Sequence, residues 1–302
     1  MHIPVLLKEV VEILEPREGD FVVDLTVGAG GHAFEFANKI GKKGILVGVD
    51  TDEEMLKIAE KKLMSIEESR RPQIFLVHSN FSYIDQIIEK LNSEEGLSRT
   101  PDIFFADLGV SSYHFDWAER GFSLNKLGPL DMRLSRSGLT AEYVIMNFPE
   151  KQIEEILRKY GEERLSRRIA KEIVKVRQKK KISTTLELAE IVQKVYRSCG
   201  IFPKIHPATK TFMALRIFVN KELENLEALL EKIPSFVKNG TKIGIISFHS
   251  LEDRIVKKKF SSWQDQFLGK IITKKLVTPS EEEIILNPRS RSAKFRAFCF
   301  ER

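Results

Sequence analysis

Cysteine is nearly absent from this chain: Cys199 and Cys299 are the only two in 302 residues. Such sparing use argues against a disulfide framework and suits a reducing, cytoplasmic setting. The six histidines, at positions 2, 32, 78, 114, 206 and 249, form no His-x-x-x-His pair, and the cysteines form no Cys-x-x-Cys. No structural zinc or other metal site is expected from that pattern. No apolar run approaches the length of a membrane span, and the N-terminus lacks the charged and apolar regions of a signal peptide. Internal repeats and low-complexity tracts are missing as well.

What remains is a globular composition. Apolar residues make up 42% of the chain, enough to bury a substantial core in one large domain or two modest ones. Charged residues reach 30%, above the usual quarter, with Lys and Glu prominent as in many thermophile proteins. The net charge is +6, and its placement says more than its size. Residues 151–181 hold twelve Lys/Arg against five Asp/Glu, so this one segment carries the whole basic excess. A concentrated excess of that kind marks a polyanion-binding face.

The stretch 21–32, FVVDLTVGAGGH, organises the first half. Residues 21–27 are apolar and β-branched with one acid, as in a buried parallel strand. Gly28, Gly30 and Gly31 then allow a tight turn and close approach of a ligand, and a helix opens at His32. A turn that merely packs helix on strand would use the same glycines. The second acid, Asp50, closes the next apolar run, 45–49, at the spacing of a carboxylate that binds ribose hydroxyls. Which nucleoside is bound follows from charge. The third glycine comes too early for G-x-G-x-x-G, and Asp24, inside the first strand, would repel a pyrophosphate but pair with an ammonium. S-adenosylmethionine has the amino group and no phosphate, so it is favoured over NAD.

Further along, helices are expected at 5–14, 52–64 and 83–91, and strands at 73–77 and 102–110. Strands alternating with helices imply right-handed βαβ units and a parallel sheet. The pattern changes at 111–149, which is irregular, and three helical segments follow at 150–160, 163–180 and 184–197. A long helix, 209–233, carries one continuous apolar stripe from Leu215 to Ile233. Strands resume at 242–248, 270–277 and 294–300, with a helix at 249–260. The expectation is an α/β fold with seven strands, its sheet domain formed by 1–110 and 208–302 and interrupted by a mostly helical insertion at 111–207.

Asp24, Gly30, Gly31, His32, Asp50, Phe81, Asp107 and His114 all fall at or just beyond the carboxyl ends of expected strands, where open α/β sheets bind ligands. Asp107 suits an adenine amino group, or simply a cap on the next turn, and Phe81 offers a ring face to the base. His114 reads equally well as a ligand or as a surface residue. On 163–180, Arg164, Arg167, Arg168, Lys171 and Lys175 surround an apolar face with too few acids to pair them, which points to RNA or DNA phosphate. The run 287–296 is a second basic segment.

These segments resemble the ribosomal RNA small subunit methyltransferase H family, also called MraW or RsmH, nearly end to end. The likeness rests on HIPVLL, DLTVGAGGH, GVDTD, FADLGVSSYHFD, RGFS, LDMR, YGEERLSRRIA, HPATKTFMALRIFVN, FHSLEDRIVK and NPRSRSAKFR. It implies a Rossmann-like class I methyltransferase with an inserted helical domain and a seven-stranded, mostly parallel sheet. It also implies N4-methylation of one cytidine in the decoding centre of small-subunit rRNA, free or within the 30S subunit, by a protein that could be a homodimer. By position, Gly30, Gly31, His32, Asp50, Phe81, Asp107 and His114 would contact S-adenosylmethionine, although Tyr113-His114 stands where the family often has Pro-Gln.

The exocyclic amine of cytosine is a weak nucleophile, so such an enzyme must align it, exclude water and accept its protons in hydrogen bonds. Covalent attack through an activated cysteine is the C5-methylation route, and neither cysteine falls in a strand-end motif. The Asn-Pro-Pro-Tyr loop of many amino-methyltransferases is absent, with Asp107-Leu-Gly-Val-Ser-Ser112 in its place. Asp107, Ser111, Ser112, Asp131 and His249 are therefore the candidate catalytic groups, by position alone. An RNA-binding factor without activity would not need Asp24, Asp50 and Asp107 together.

Overall fold

The computed structural model describes residues 4–301, with the side chain of Ser112 outside that description along with His2 and Ile3 of the N-terminal motif. In chain order the elements are α1 (Leu7–Leu14), β1 (Phe21–Asp24), α2 (Gly31–Ile40), β2 (Ile45–Asp50), α3 (Glu53–Met64), β3 (Gln73–His78), α4 (Ile84–Glu94) and β4 (Ile103–Asp107). Then come α5 (Ser112–Asp116), α6 (Ala141–Asn147), α7 (Glu150–Gly161), α8 (Ser166–Arg177), α9 (Thr185–Ser198) and α10 (Thr209–Asn220). The chain closes with α11 (Glu222–Lys232), β5 (Lys242–Ser247), α12 (Ser250–Asp265), β6 (Gly269–Ile271), α13 (Glu281–Leu286) and β7 (Lys294–Phe300).

The seven strands form one sheet in the order β3-β2-β1-β4-β5-β7-β6. The first five listed pair in parallel, and β7 runs antiparallel to both β5 and β6. Strand residues alternate between two cores, as a pleat covered on both faces requires. Phe21, Val23, Val47, Phe104, Ile243, Ile245 and Phe298 pack with α4, α11 and α12, whereas Val22, Leu46, Phe105, Phe295 and Ala297 pack with α1, α2 and α3. The result is a three-layer sandwich whose strand order reverses between β1 and β4.

Contacts divide the chain into two compact units, 1–109 with 223–302, and 110–222. The first holds the sheet. The second is helical among the described residues, apart from an isolated bridge between Pro129 and Thr184. The helix expected over 209–233 is two helices. Lys221 has φ 50°, a left-handed turn that separates α10 from α11. Leu223, Leu226, Leu230 and Ile233 belong to the sheet core. By contrast, α10 packs on α7, and Gly161 lets the backbone of Lys210 approach so closely that a Cβ there would sit 2.6 Å from its carbonyl oxygen. Residues 208–222 therefore go with the insertion rather than with the sheet as the sequence pattern had it.

Two smaller differences concern the edge of the sheet. The strand expected at 270–277 is three residues long, with Val277 making a lone bridge to Phe295. The helix expected at 249–260 continues to Asp265, because Trp263 extends its buried face by another turn.

Candidate active site

Three acids end three adjacent parallel strands: Asp24 on β1, Asp50 on β2 and Asp107 on β4. They flank the point where strand order reverses, the standard ligand position in an open α/β sheet. Backbone bonds fix the loops between them. Leu25 donates to Phe105, Val27 to Val49, and the amide of Asp107 to Thr26 Oγ1 at 2.6 Å. Thr26 thus fastens the β1 turn to the end of β4, a role its sequence position did not signal.

Asp50 is a tether as well as a candidate ligand. Its two oxygens accept from Gly28 N at 2.8 Å and Asp52 N at 2.9 Å, holding the glycine turn and the start of α3. A carboxylate has roughly four lone-pair positions, more than these two amides occupy. Asp52 caps α3 by accepting from Glu54 N at 2.9 Å.

Asp24 is 1% exposed, and among the described residues its carboxyl accepts a single hydrogen bond, from Thr26 N at 3.2 Å. Burial pushes its pKa up to about 7, with the nearby Asp50 charge adding to the rise. A buried acid without a counter-cation is what an ammonium group would complete.

Asp107 is similar. Burial first, then Asp24, Glu252 and Glu283, hold its carboxyl well above the usual range. Its Oδ1 is buried and has no hydrogen-bond partner among the described residues, while the side chain as a whole keeps 21% of its surface open. An amino group placed there would satisfy it. His32 is buried beside it, with Nδ1 3.8 Å from Asp107 Oδ2 and the ring 4.7 Å from that of Phe105. The other nitrogen, Nε2, lies 2.9 Å from the carbonyl of Val5, which can only accept, so Nε2 carries the hydrogen.

The glycines divide by cause. Gly30 has φ 75° and a Cβ there would sit 3.1 Å from Ala59 Cα, and one on Gly31 would sit 2.6 Å from Pro4. Packing between elements explains both. At Gly28 a Cβ would meet only Thr26 O at an ordinary 3.8 Å, so its left-handed φ of 50°, not packing, is what calls for glycine. Phe81 opens the turn after β3 and packs partly on the sheet core.

His249 ends the β5 loop as the N-cap of α12. Its Nδ1 accepts from Glu252 N at 3.4 Å, and Glu252 returns bonds from Phe248 N and His249 N. Glu252 is 2% exposed and went unnoticed in the sequence because histidine is an unusual cap for this reciprocal box. In the inserted unit, Ser111 caps α5 by accepting from Tyr113 N at 3.4 Å. His114 on α5 is 4% exposed with its ring 5.5 Å from Phe122, so it is not a surface residue. Asp131 is held by Arg133 through two bonds of 2.8 Å and reads as a loop fastener.

The acids of the sheet unit fit S-adenosylmethionine: Asp24 could hold the ammonium, Asp50 the ribose and Asp107 the adenine amine. When bound, that group supplies an electrophilic methyl on a sulfonium. A Rossmann-like sheet with this rim is that of a class I, S-adenosylmethionine-dependent methyltransferase. The chain belongs to the MraW methylase family, whose description matches it over residues 1–301. It is 42% identical over 300 residues to the Acidobacterium capsulatum protein named ribosomal RNA small subunit methyltransferase H, covering 98% of this chain and 97% of that one. A Sulfurihydrogenibium azorense protein of the same name is 44% identical over 296 residues, with 98% and 97% covered. Among solved structures, an rRNA methylase from Streptococcus thermophilus aligns over 100% of both chains at 10% identity and a TM-score of 0.46.

Proposed function

We propose that this protein methylates N4 of one cytidine in the decoding region of small-subunit rRNA, in the cytoplasm, on rRNA either free or assembled in the 30S subunit. The rRNA substrate is supported by the names of relatives above 40% identity over nearly the whole chain. The choice of amine over ring carbon rests on the cysteines. Cys299 pairs with Lys242 at the start of β5, the sheet edge opposite to Asp107, and burial pushes its thiol pKa up. Cys199 caps the end of α9 with Arg168 Nη1 2.7 Å from its sulfur. Cys299 lies away from the strand-end acids and Cys199 belongs to no strand-end motif, which supports direct transfer. The amine's lone pair forms the new bond as the carbon–sulfur bond breaks, and the displaced amine proton passes to an acceptor or to water.

Positioning then supplies the rate. Cys199→Ala with Cys299→Ala should leave methylation nearly intact. His249→Asn keeps a capping side chain, so melting should barely move while turnover falls on the order of ten- to a thousandfold, as for a lost orienting contact. Ser112→Ala should behave alike. Nucleoside mass spectrometry of the reacted rRNA decides the matter: methyl on C5, or a dead double-cysteine variant, overturns direct N4 transfer.

RNA capture is assigned to α8 and the residues before it. Ile169, Ala170 and Ile173 are buried, while Arg164, Arg167, Arg168 and Lys171 are exposed. Glu172, the acid within α8, is engaged by Lys194 and Lys175. Changing those four bases to Gln should weaken RNA binding and reduce its log–log salt slope by about 3, with cofactor affinity unmoved. An unaltered slope would make the face merely solvated.

A further inference from the structure

The sheet unit has a basic face of its own, on α12. This helix buries Glu252, Val256, Phe260 and Trp263. On its other side Arg254, Lys257, Lys258, Ser261, Ser262 and Asp265 line an open depression of about 410 Å³. Lys259, on the flank, pairs with Glu231 at 2.5 Å. Lys257 and Lys258 are exposed and meet no carboxylate among the described residues. The only acid in the row, Asp265, stands at its far end. Since α12 starts at the carboxyl end of β5, the row begins one turn from the strand-end rim.

Phe267 follows immediately. It is 90% exposed and has φ 58°. Its amide donates to Gln264 O at 3.0 Å and that of Leu268 to Trp263 O at 2.9 Å, closing the helix in the left-handed form that glycine favours. A bulky residue there is strained, and an exposed phenyl gains no burial in return. The fold gives no reason for an aromatic at this position.

We propose that the outer face of α12 holds a single-stranded segment of the substrate RNA. Lys257 and Lys258 pair with phosphates, Ser261 donates to another, and Phe267 stacks on a base. From Arg254 to Phe267 the row extends roughly 20 Å, the reach of a few nucleotides. A row of cations and an exposed ring are the elements of a sequence-tolerant single-strand platform. The inference rests on the rRNA reading and adds to it a contact surface outside the inserted unit.

The test compares the full chain with a Lys257→Gln/Lys258→Gln double variant, Phe267→Gly and Phe267→Trp. Measured are melting temperature, S-adenosylmethionine affinity, methylation of small-subunit rRNA, and binding of a fluorescent single-stranded RNA over a salt series. The double variant should reduce the log–log salt slope by about 1.4. Phe267→Gly should raise the melting temperature yet weaken RNA binding on the order of fivefold or more, and Phe267→Trp should restore it. Cofactor affinity should stay constant in all three. An unchanged slope in the double variant, or full RNA binding by Phe267→Gly, overturns the inference. If the wild-type protein methylates rRNA while the variants bind RNA normally, only the α12 surface is refuted. A wild-type protein that neither binds nor methylates this RNA refutes the substrate reading itself, and the surface with it.

Discussion

Asp24→Asn should make the cofactor-free protein more stable at pH 8 while crippling its affinity for S-adenosylmethionine. The folded pKa of Asp24, about 7, lies above the ordinary carboxylate value of 3.8. A group raised in this way contributes stability that is complete below the unfolded value and lost as pH rises through the folded one. Its ionised form is therefore a burden at pH 8, on the order of 2–4 kcal/mol for a shift of this size. Asparagine removes the burden and keeps an acceptor for Thr26 N. Melting should rise by several degrees at pH 8 and by little at pH 4. Binding should show the opposite preference. The ammonium needs the ionised acid, so wild-type affinity should fall roughly a hundredfold from pH 8 to pH 5, and the asparagine variant should lose that part of the slope. Titration calorimetry at several pH values measures both proteins. Equal slopes would remove Asp24 from the ammonium site.

Asp50→Ala should cost about 2–4 kcal/mol of cofactor affinity, the size of losing charge-assisted bonds to two hydroxyls. From strand position alone the substitution would leave stability untouched, since the residue ends a strand at an open rim. The two amides it holds change that expectation. Unfolding should cost about 1–3 kcal/mol less in the variant, because the Gly28 turn and the start of α3 lose their acceptor. Asp50→Asn, which can still accept one amide, should recover part of the stability and little of the affinity. Denaturant melts together with calorimetry separate the two effects, and unchanged affinity would exclude Asp50 from the ribose site.

The sheet was legible because period-two patterning and buried apolar runs are written locally: 21–24, 45–50, 73–78, 103–107, 242–247 and 294–300 all contain an expected strand or its centre. The acids at their ends were legible for the same reason, each being a charge where an apolar run stops. Lys221 was not. A lysine in a left-handed turn carries no local signal, and the leucine stripe passes through it unbroken while its two halves enter different cores. Nor could sequence separate the glycines. Gly30 and Gly31 are required by Ala59 and Pro4, partners distant in sequence, a packing cause that the ligand reading of these glycines did not contain. The tether role of Asp50 is likewise a tertiary fact, whereas the cap formed by His249 and Glu252 is local and was hidden by the unusual capping residue.

The interrupted sheet has a consequence for synthesis. β4 is an interior strand, flanked by β1 on one side and β5 on the other. Between β4 and β5 the ribosome must translate the whole insertion, residues 110–222. At roughly 5–20 residues per second, that takes on the order of ten seconds. Throughout that interval β4 lacks its neighbour β5, and Phe104 lacks the covering helices α11 and α12 that later bury it. The nascent chain thus carries an unpaired parallel edge at β4 until β5 has been made.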